Sequence, residues 1–118
     1  METLRRRFVD SVDFVKIYVS EAHPVDEWRC YAEADVDYKQ PKELRERLAA
    51  ARRLLRENPV IQAPLFLDSM TNDAERRYAA HPERLYVVSG GKVVFKGGKG
   101  PFGYLPEDLE KFLEAPPW

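Results

Sequence analysis

The pattern of apolar and polar positions predicts that the chain opens with a helix and a strand. Leu4, Phe8 and Val12 recur every four residues in an otherwise charged stretch, which predicts an amphipathic helix over 2–11. The residues at 13–19 are rich in β-branched and aromatic side chains and predict a buried strand. The helix therefore leads directly into the strand.

The longest predicted helix lies in the middle of the chain. Pro41 suits its first turn, and Asn58-Pro59 ends it. Four apolar residues at helical spacing define its predicted inward face: Leu44, Leu48, Ala51 and Leu55.

The second half of the chain predicts a strand, a short helix, a hairpin and a closing helix. The apolar run at 63–68 predicts a buried strand, and Asn72 followed by Glu75 indicates a cap for the short helix. Two apolar runs around Ser89-Gly90-Gly91 predict a β-hairpin, because glycine adopts the positive φ that tight turns need. The closing helix has a proline near its N-terminus and three apolar side chains facing inward: Leu109, Phe112 and Leu113.

This order, α-β-α-β-α-β-β-α, predicts an α/β fold. Helical crossovers between the early strands imply parallel pairing, and the hairpin adds an antiparallel pair. We therefore expect a central mixed β-sheet flanked by helices, and a thioredoxin-like sheet fits this order. Such a sheet normally begins with a strand and a redox loop ahead of the first helix, so we expect that first strand to be missing. The length corresponds to one domain, residues 1–118.

Composition argues against several classes of protein. The 19 basic and 20 acidic residues give a net charge of −1, so no overall field attracts nucleic acid or an anionic membrane. Cys30 is the only cysteine, so an internal disulfide is excluded, and we expect its thiol to pack in the core. Because the chain has only two histidines, we expect no metal site. No apolar run approaches the roughly 20 residues of a membrane span. These features predict a soluble, cytoplasmic protein.

Candidate chemistry follows the first strand, in the segment "YVSEAHPVDEW" at 18–28. Glu21 and His23 are two residues apart in an extended segment, so their side chains can point to the same side. An imidazole beside a carboxylate can relay a proton, or bind an anion when it is protonated. The alternative is a loop histidine that caps backbone groups.

Two further residue types suit a binding site for an aromatic acid. Arg84, at the entrance of the hairpin, can bind a carboxylate bidentately or can pair with a nearby acidic residue such as Glu83. Trp28 and Tyr31 can form an aromatic wall for a ring-shaped ligand or can plug the core. The residues alone leave both pairs of alternatives open.

Four segments of the chain together resemble one known family. "DFVKIYVSEAHPVDEW" is similar to the strand and loop of the iodothyronine deiodinases, which carry E-A-H-x-x-D-G-W. "LRERLAAARRLL" resembles their next helix, and "PLFLDSMTN" resembles the strand that follows and its D-[TS]-M-x-N exit. "ERLYVVSGGKVVFKGGKGPFGY" resembles their terminal hairpin and loop. The resemblance covers nearly the whole chain in the same order.

The resemblance implies a thioredoxin-like, peroxiredoxin-related fold and an oxidoreductase that removes iodide from iodothyronines. No bound cofactor is implied, because a thiol reductant supplies the electrons as co-substrate. By matched position, Glu21 and His23 are the catalytic proton-relay pair, and His23 also grips the amino-acid end of the substrate with Arg84. We expect Trp28 to contribute to substrate binding. A homodimer is a further expectation from the family.

The sequence departs from the family pattern in ways that limit this expectation. The family's selenocysteine or cysteine precedes its first helix, whereas Cys30 here does not align with it. Glu27 replaces a family glycine, and Pro41 replaces a second family histidine. We therefore expect residues 1–118 to be inactive alone. The alternatives are a non-catalytic binding module for a carboxylate-bearing aromatic ligand, and a peroxiredoxin-like thiol oxidoreductase.

Overall fold

A computed structural model describes residues 1–31 and 35–118. The helices and strands are α1 (Glu2–Arg7), β1 (Lys16–Tyr18), α2 (Leu44–Glu57), β2 (Leu65–Leu67), α3 (Asp73–Tyr78), β3 (Tyr86–Ser89), β4 (Lys92–Lys96) and α4 (Pro106–Leu113). The predicted order is confirmed, although α1 ends earlier than predicted. Within the described ranges, no helix combines the length and the apolar character needed to cross a bilayer.

Strands β1 and β2 form a parallel pair that is shorter than predicted. Ile17 lies opposite Phe66, and the Asp68 amide continues the pairing with a 2.9 Å bond to the Tyr18 carbonyl. The side chains of Ile17 and Phe66 are 46% and 57% exposed, so the prediction of buried strands is wrong for this face. Alternate strand residues point to opposite faces. Because α2 packs against β2, one face of the parallel pair is covered. The opposite face, which carries Ile17 and Phe66, is not covered by any of the described residues.

Strands β3 and β4 form the predicted antiparallel hairpin. Ser89 pairs with Lys92, and the two turn residues Gly90 and Gly91 have φ of +56° and +74°. This conformation suits the two-residue turn of a hairpin. The parallel pair and the hairpin are two-stranded sheets that share no strand in the described part of the chain. The result is a mixed α/β fold with small sheets and flanking helices, which is compatible with a thioredoxin-like fold.

The main apolar cluster joins the two ends of the chain to the hairpin. Leu4 of α1, Val87 of β3, and Leu109 and Leu113 of α4 are buried together. The inward face predicted for α4 is therefore confirmed. Half-buried side chains pack around this cluster, namely those of Phe8, Phe14, Phe95, Phe112 and Trp118.

Helix α2 ends where predicted but buries a different face. Its buried residues are Arg47, Ala50 and Ala51, whereas three residues of the predicted face are exposed: Leu44, Leu48 and Leu55. Ala51 belongs to both faces, so the buried face is turned toward Arg47 by less than the step of about 100° between successive residues. The helix also starts at Leu44, three residues after Pro41.

Hydrogen bonds to the β2–α3 loop explain the burial of Arg47, which is only 2% exposed. Its guanidinium donates to the carbonyl oxygens of Asp68 and Ser69, at 3.2 and 2.7 Å. It also donates to Oδ1 of Asn72 at 2.9 Å. These bonds satisfy Nη1 and Nη2 of the buried cation, whereas its buried Nε finds no partner among the described residues. Arg47 therefore fixes α2 to the exit of β2.

Asp68, rather than Asn72, caps helix α3. The Asp68 carboxylate is 4% exposed and accepts hydrogen bonds from the amides of Ser69, Ala74 and Glu75 at 2.8 to 2.9 Å. Asn72 has a φ of +56° and makes no side-chain cap. The predicted cap at Asn72 is therefore wrong, because its side chain binds Arg47 instead.

Candidate functional site

The carboxylate of Glu21 is held by two phenols just past the end of β1. Tyr38 donates to Glu21 Oε1 at 2.7 Å, and Tyr18 donates to the same oxygen. The two phenol oxygens are 3.2 Å apart. Burial raises the pKa of Tyr38, and its hydrogen bond to Glu21 raises that pKa further. Tyr38 therefore remains a proton donor at neutral pH.

The backbone at Glu21 is fixed by the side-chain amide of Gln40. The Glu21 amide donates to Gln40 Oε1, and Gln40 Nε2 donates to the Glu21 carbonyl, both at 2.9 Å. The Gln40 amide in turn donates to Asp26 at 2.8 Å. These bonds tie the loop after β1 to the segment that precedes α2. Because both the amide and the carbonyl of Glu21 are held, its backbone is fixed and its side chain is oriented.

The imidazole of His23 contacts Trp28 twice. Nδ1 lies 2.9 Å from the Trp28 carbonyl oxygen, and the two rings meet edge to face with centroids 5.3 Å apart. Because a carbonyl oxygen can only accept, Nδ1 carries the proton, and Nε2 of the neutral ring keeps its lone pair. His23 is thus oriented with one nitrogen available to a ligand. Its role as a backbone cap and a role in binding are compatible.

Trp28 is 75% exposed, so it does not plug the core. Tyr31 is also exposed, and the Arg29 guanidinium lies 5.2 Å from the centroid of its ring. Of the two alternatives for Trp28, the structure therefore favours an aromatic surface over a core residue. The indole edge is presented beside His23 rather than against the apolar cluster.

Arg84 is held by carbonyl oxygens rather than by an acidic partner. Its Nε donates to the Gly97 carbonyl at 2.8 Å, and Nη1 donates to the Ala79 carbonyl at 3.4 Å. The guanidinium also lies 5.7 Å from the centroid of the Tyr86 ring. Within residues 1–31 and 35–118, no carboxylate forms an ion pair with Arg84. Of the two alternatives for Arg84, the structure therefore does not show the ion pair with an acidic residue such as Glu83, and the head group is positioned without being neutralised by these residues.

One cavity of about 900 Å³ brings the four predicted site residues together. Glu21, His23, Trp28 and Arg84 all line it. Tyr104 lines it as well. Burial and the nearby Glu83 charge raise the pKa of Tyr104, which therefore remains protonated. The wall of this cavity carries a carboxylate, an imidazole, a guanidinium and aromatic rings.

A second polar cluster on the cavity wall was not predicted from the sequence. Ser20 Oγ donates to Glu75 Oε2 at 2.5 Å, and Nδ1 of His81 lies 3.3 Å from the same hydroxyl. Ser20 and His81 both line the cavity. Because the serine donates to the glutamate, the histidine does not activate it as a nucleophile. The available signals were the position of Ser20 beside Glu21 and of His81 just before Arg84.

Cys30 is exposed, so the prediction of a packing thiol is wrong. Its Sγ donates to Asp35 Oδ1 at 2.9 Å. This hydrogen bond lowers the pKa of Asp35, and the Cys30 and Tyr31 amides lower it further. The nearest potential ligand atoms of His23, Cys30 and Asp35 all lie within 4.8 Å of one another. These three side chains are the group in the described residues that could hold a metal ion.

Comparison with known proteins identifies the family. The family model for iodothyronine deiodinase matches residues 1–116. The type I iodothyronine deiodinase of Xenopus laevis is 43% identical over 111 residues, covering 94% of this chain and 42% of that protein. The thyroxine 5-deiodinases of Gallus gallus and Ovis aries are 42% and 37% identical, covering 91% and 96% of this chain and 40% and 38% of theirs.

The chain thus spans about two fifths of the length of these curated relatives. The matched region includes β1, the loop that carries Glu21 and His23, and the hairpin entrance at Arg84. A match to the family model over nearly all of the 118 residues leaves the assignment plain: the chain belongs to the iodothyronine deiodinase family.

Proposed function

We propose that the chain takes part in the reductive deiodination of iodothyronines, as a deiodinase-like oxidoreductase that uses electrons from a thiol reductant. The family match supports the class of reaction. The observation that carries the proposal is the shared cavity of Glu21, His23, Trp28 and Arg84. A cation and an imidazole suit the amino-acid end of such a substrate, and an exposed indole suits its rings.

Arg84 is the proposed binding group for the substrate carboxylate. Its bonds to Gly97 and Ala79 hold the guanidinium in place and use two of its five N–H donors. A planar guanidinium can then bind a carboxylate through two parallel hydrogen bonds. His23 offers Nε2 to the same end of the ligand, where its lone pair can accept a hydrogen bond from the ammonium group, since Nδ1 is held by the Trp28 carbonyl.

Glu21 and its two phenol partners are the proposed source of the proton. Replacing a carbon-bound iodine by hydrogen consumes two electrons and one proton and releases iodide. The thiol reductant supplies the electrons, and the Tyr18, Tyr38 and Glu21 hydrogen bonds form a path along which a proton can move. Gln40 keeps the carboxylate in position during the transfer.

We propose further that residues 1–118 alone bind substrate without deiodinating it. Halogen abstraction needs a selenolate or thiolate beside the proton donor. Cys30 is the only cysteine, does not match the family's nucleophile, and donates its thiol hydrogen to Asp35. With dithiothreitol and thyroxine we expect no iodide release above the buffer control. Release that disappears in Cys30→Ser would contradict this assignment.

The carboxylate-binding role of Arg84 can be tested by direct binding measurements. Thyroxine and its decarboxylated analogue, thyronamine with the same iodine pattern, are titrated into wild type and Arg84→Ala by calorimetry. Loss of a charge-assisted pair costs about 1.5–3 kcal/mol, so Arg84→Ala should weaken thyroxine binding about 10- to 150-fold. Binding of the analogue should change little.

Arg52→Ala is the matched control, because Arg52 is exposed on α2 and does not line the cavity. It should bind both ligands as wild type does. The proposal fails if Arg84→Ala binds thyroxine as tightly as wild type, or if it loses both ligands to the same extent.

We also propose a homodimer in a reducing compartment such as the cytoplasm. The family resemblance implies the dimer, and the side-by-side exposure of Ile17 and Phe66 supports it. A thiol-dependent reaction suits a compartment in which thiols stay reduced.

A further inference from the structure

The loop after β1 brings together three side chains with different donor atoms. An imidazole nitrogen of His23, the sulfur of Cys30 and a carboxylate oxygen of Asp35 lie within 4.8 Å of one another. His23 and Asp35 are half-buried, and Cys30 is exposed. The cluster is therefore reachable from solvent while two of its members are held in the fold.

We propose that His23, Cys30 and Asp35 bind a divalent transition-metal ion, and that Zn²⁺ is the best match. Zinc takes nitrogen, sulfur and oxygen ligands at about 2.0–2.3 Å and prefers four ligands in a tetrahedron. At separations of up to 4.8 Å, the three ligand atoms have to move only slightly closer together to surround one ion. Three protein ligands leave the fourth position to water or another small ligand.

The surroundings of the three ligands already orient two of them. The backbone amides of Cys30 and Tyr31 donate to the Asp35 carboxylate at 3.1 and 2.8 Å. The Nδ1 hydrogen of His23 points to the Trp28 carbonyl, which leaves Nε2 for the metal. Histidines that bind metals commonly donate their other N–H to a carbonyl or a carboxylate in this manner.

Metal binding must displace the proton that Cys30 now shares with Asp35. Sγ donates to Asp35 Oδ1 at 2.9 Å, so the thiol proton leaves to solvent when the thiolate and the carboxylate turn to the ion. At neutral pH we expect about one proton released for each metal bound, and an affinity that falls as the pH falls. The carboxylate oxygen exchanges a hydrogen-bond donor for the metal.

A bound metal would also take His23 away from the substrate. This consequence rests on the proposed function, because it assumes that His23 grips the carboxylate-bearing end of the ligand. Zinc should then weaken thyroxine binding in the wild type but not in Cys30→Ser.

The metal site is tested by titrating residues 1–118 with Zn²⁺ against a chromophoric chelator and with Co²⁺ by absorption. We expect one metal per chain and a thiolate-to-cobalt charge-transfer band. Cys30→Ser and Asp35→Asn should each weaken binding at least about tenfold, as loss of a ligand or its support usually does. Asp37→Asn is the matched control, since Asp37 is an exposed carboxylate paired with Arg53. It should bind as wild type does.

Alkylation of the folded wild type tests the metal site without relying on variants, which can fail to fold. Zinc should slow the reaction of Cys30 with iodoacetamide, and prior alkylation should abolish the cobalt band. The metal site is refuted if binding is not one to one, if Cys30→Ser binds as tightly as wild type, or if zinc leaves the alkylation rate unchanged. Thyroxine binding measured with chelator present tests the proposed function separately, so each failure is distinguishable.

Discussion

Replacing Asp68 by asparagine should destabilise the fold far more than the loss of a surface charge. Oδ1 of Asp68 accepts from the amides of Ser69 and Ala74, and Oδ2 accepts from the amide of Glu75. An asparagine keeps one carbonyl oxygen and places an N–H₂ group where the second oxygen was. The Glu75 amide then faces a donor in a site that is nearly closed to water.

The magnitude follows from these three bonds. A hydrogen bond to a charged group contributes about 1.5–3 kcal/mol, and a buried unsatisfied donor costs about 1–3 kcal/mol. The two bonds kept at the carbonyl oxygen become neutral and weaker, whereas the third is lost. Because such terms are not additive for neighbouring groups, we expect a total loss of about 2–3 kcal/mol in the free energy of unfolding.

Urea denaturation followed by circular dichroism measures this loss, with Asp10→Asn as the matched control on an exposed residue. The control should change the free energy of unfolding by less than about 0.5 kcal/mol. If Asp68→Asn and Asp10→Asn have equal midpoints and slopes, Asp68 does not cap α3 as described.

Two further predictions concern Tyr38 and the open face of the parallel strands. The pKa of Tyr38 is raised in the folded state, so the unfolded chain loses this proton first and the free energy of unfolding falls as the pH rises past about 10. Tyr38→Phe should reduce this dependence of the unfolding free energy on pH, as measured by urea denaturation at several pH values. An unchanged pH dependence would contradict the prediction. Phe66→Ser should reduce self-association measured by sedimentation velocity, because Phe66 lies on the open face of the parallel strands. Val60→Ser, at an exposed loop position, should not reduce it. Equal effects of the two substitutions would exclude the open face as the contact between copies.

The sequence predicted those parts of the fold that depend on local chemistry. The hairpin at Gly90 and Gly91 needs positive φ at two adjacent residues, and that requirement is visible in the residue types themselves. The order of the eight elements follows from apolar periodicity in the same way. The face of α2 was not predictable, because Arg47 is buried by acceptors that lie about twenty residues further along the chain.

The candidate site was likewise predictable from the sequence only in part. Glu21, His23, Trp28 and Arg84 stood out through their types and through resemblance to a family. Contacts between distant segments did not: Ser20 and His81 are 61 residues apart in the sequence, and nothing local links them. The three ligands of the proposed metal site lie close together in the sequence and were missed for a different reason, because the count of two histidines argued against a metal.

The bonds of Arg47 make α2 and the exit of β2 one mechanical unit. Arg47 holds the carbonyls of Asp68 and Ser69, Asp68 holds the start of α3, and Glu75 of α3 holds Ser20 at the cavity wall. Local unfolding of α2 must therefore loosen the wall of a cavity that α2 scarcely touches. In a hydrogen-exchange experiment we therefore expect the α2 amides and those of Ala74 and Glu75 to open as one cooperative unit. Selection for a stable outer helix and for a well-ordered pocket then acts on the same arginine.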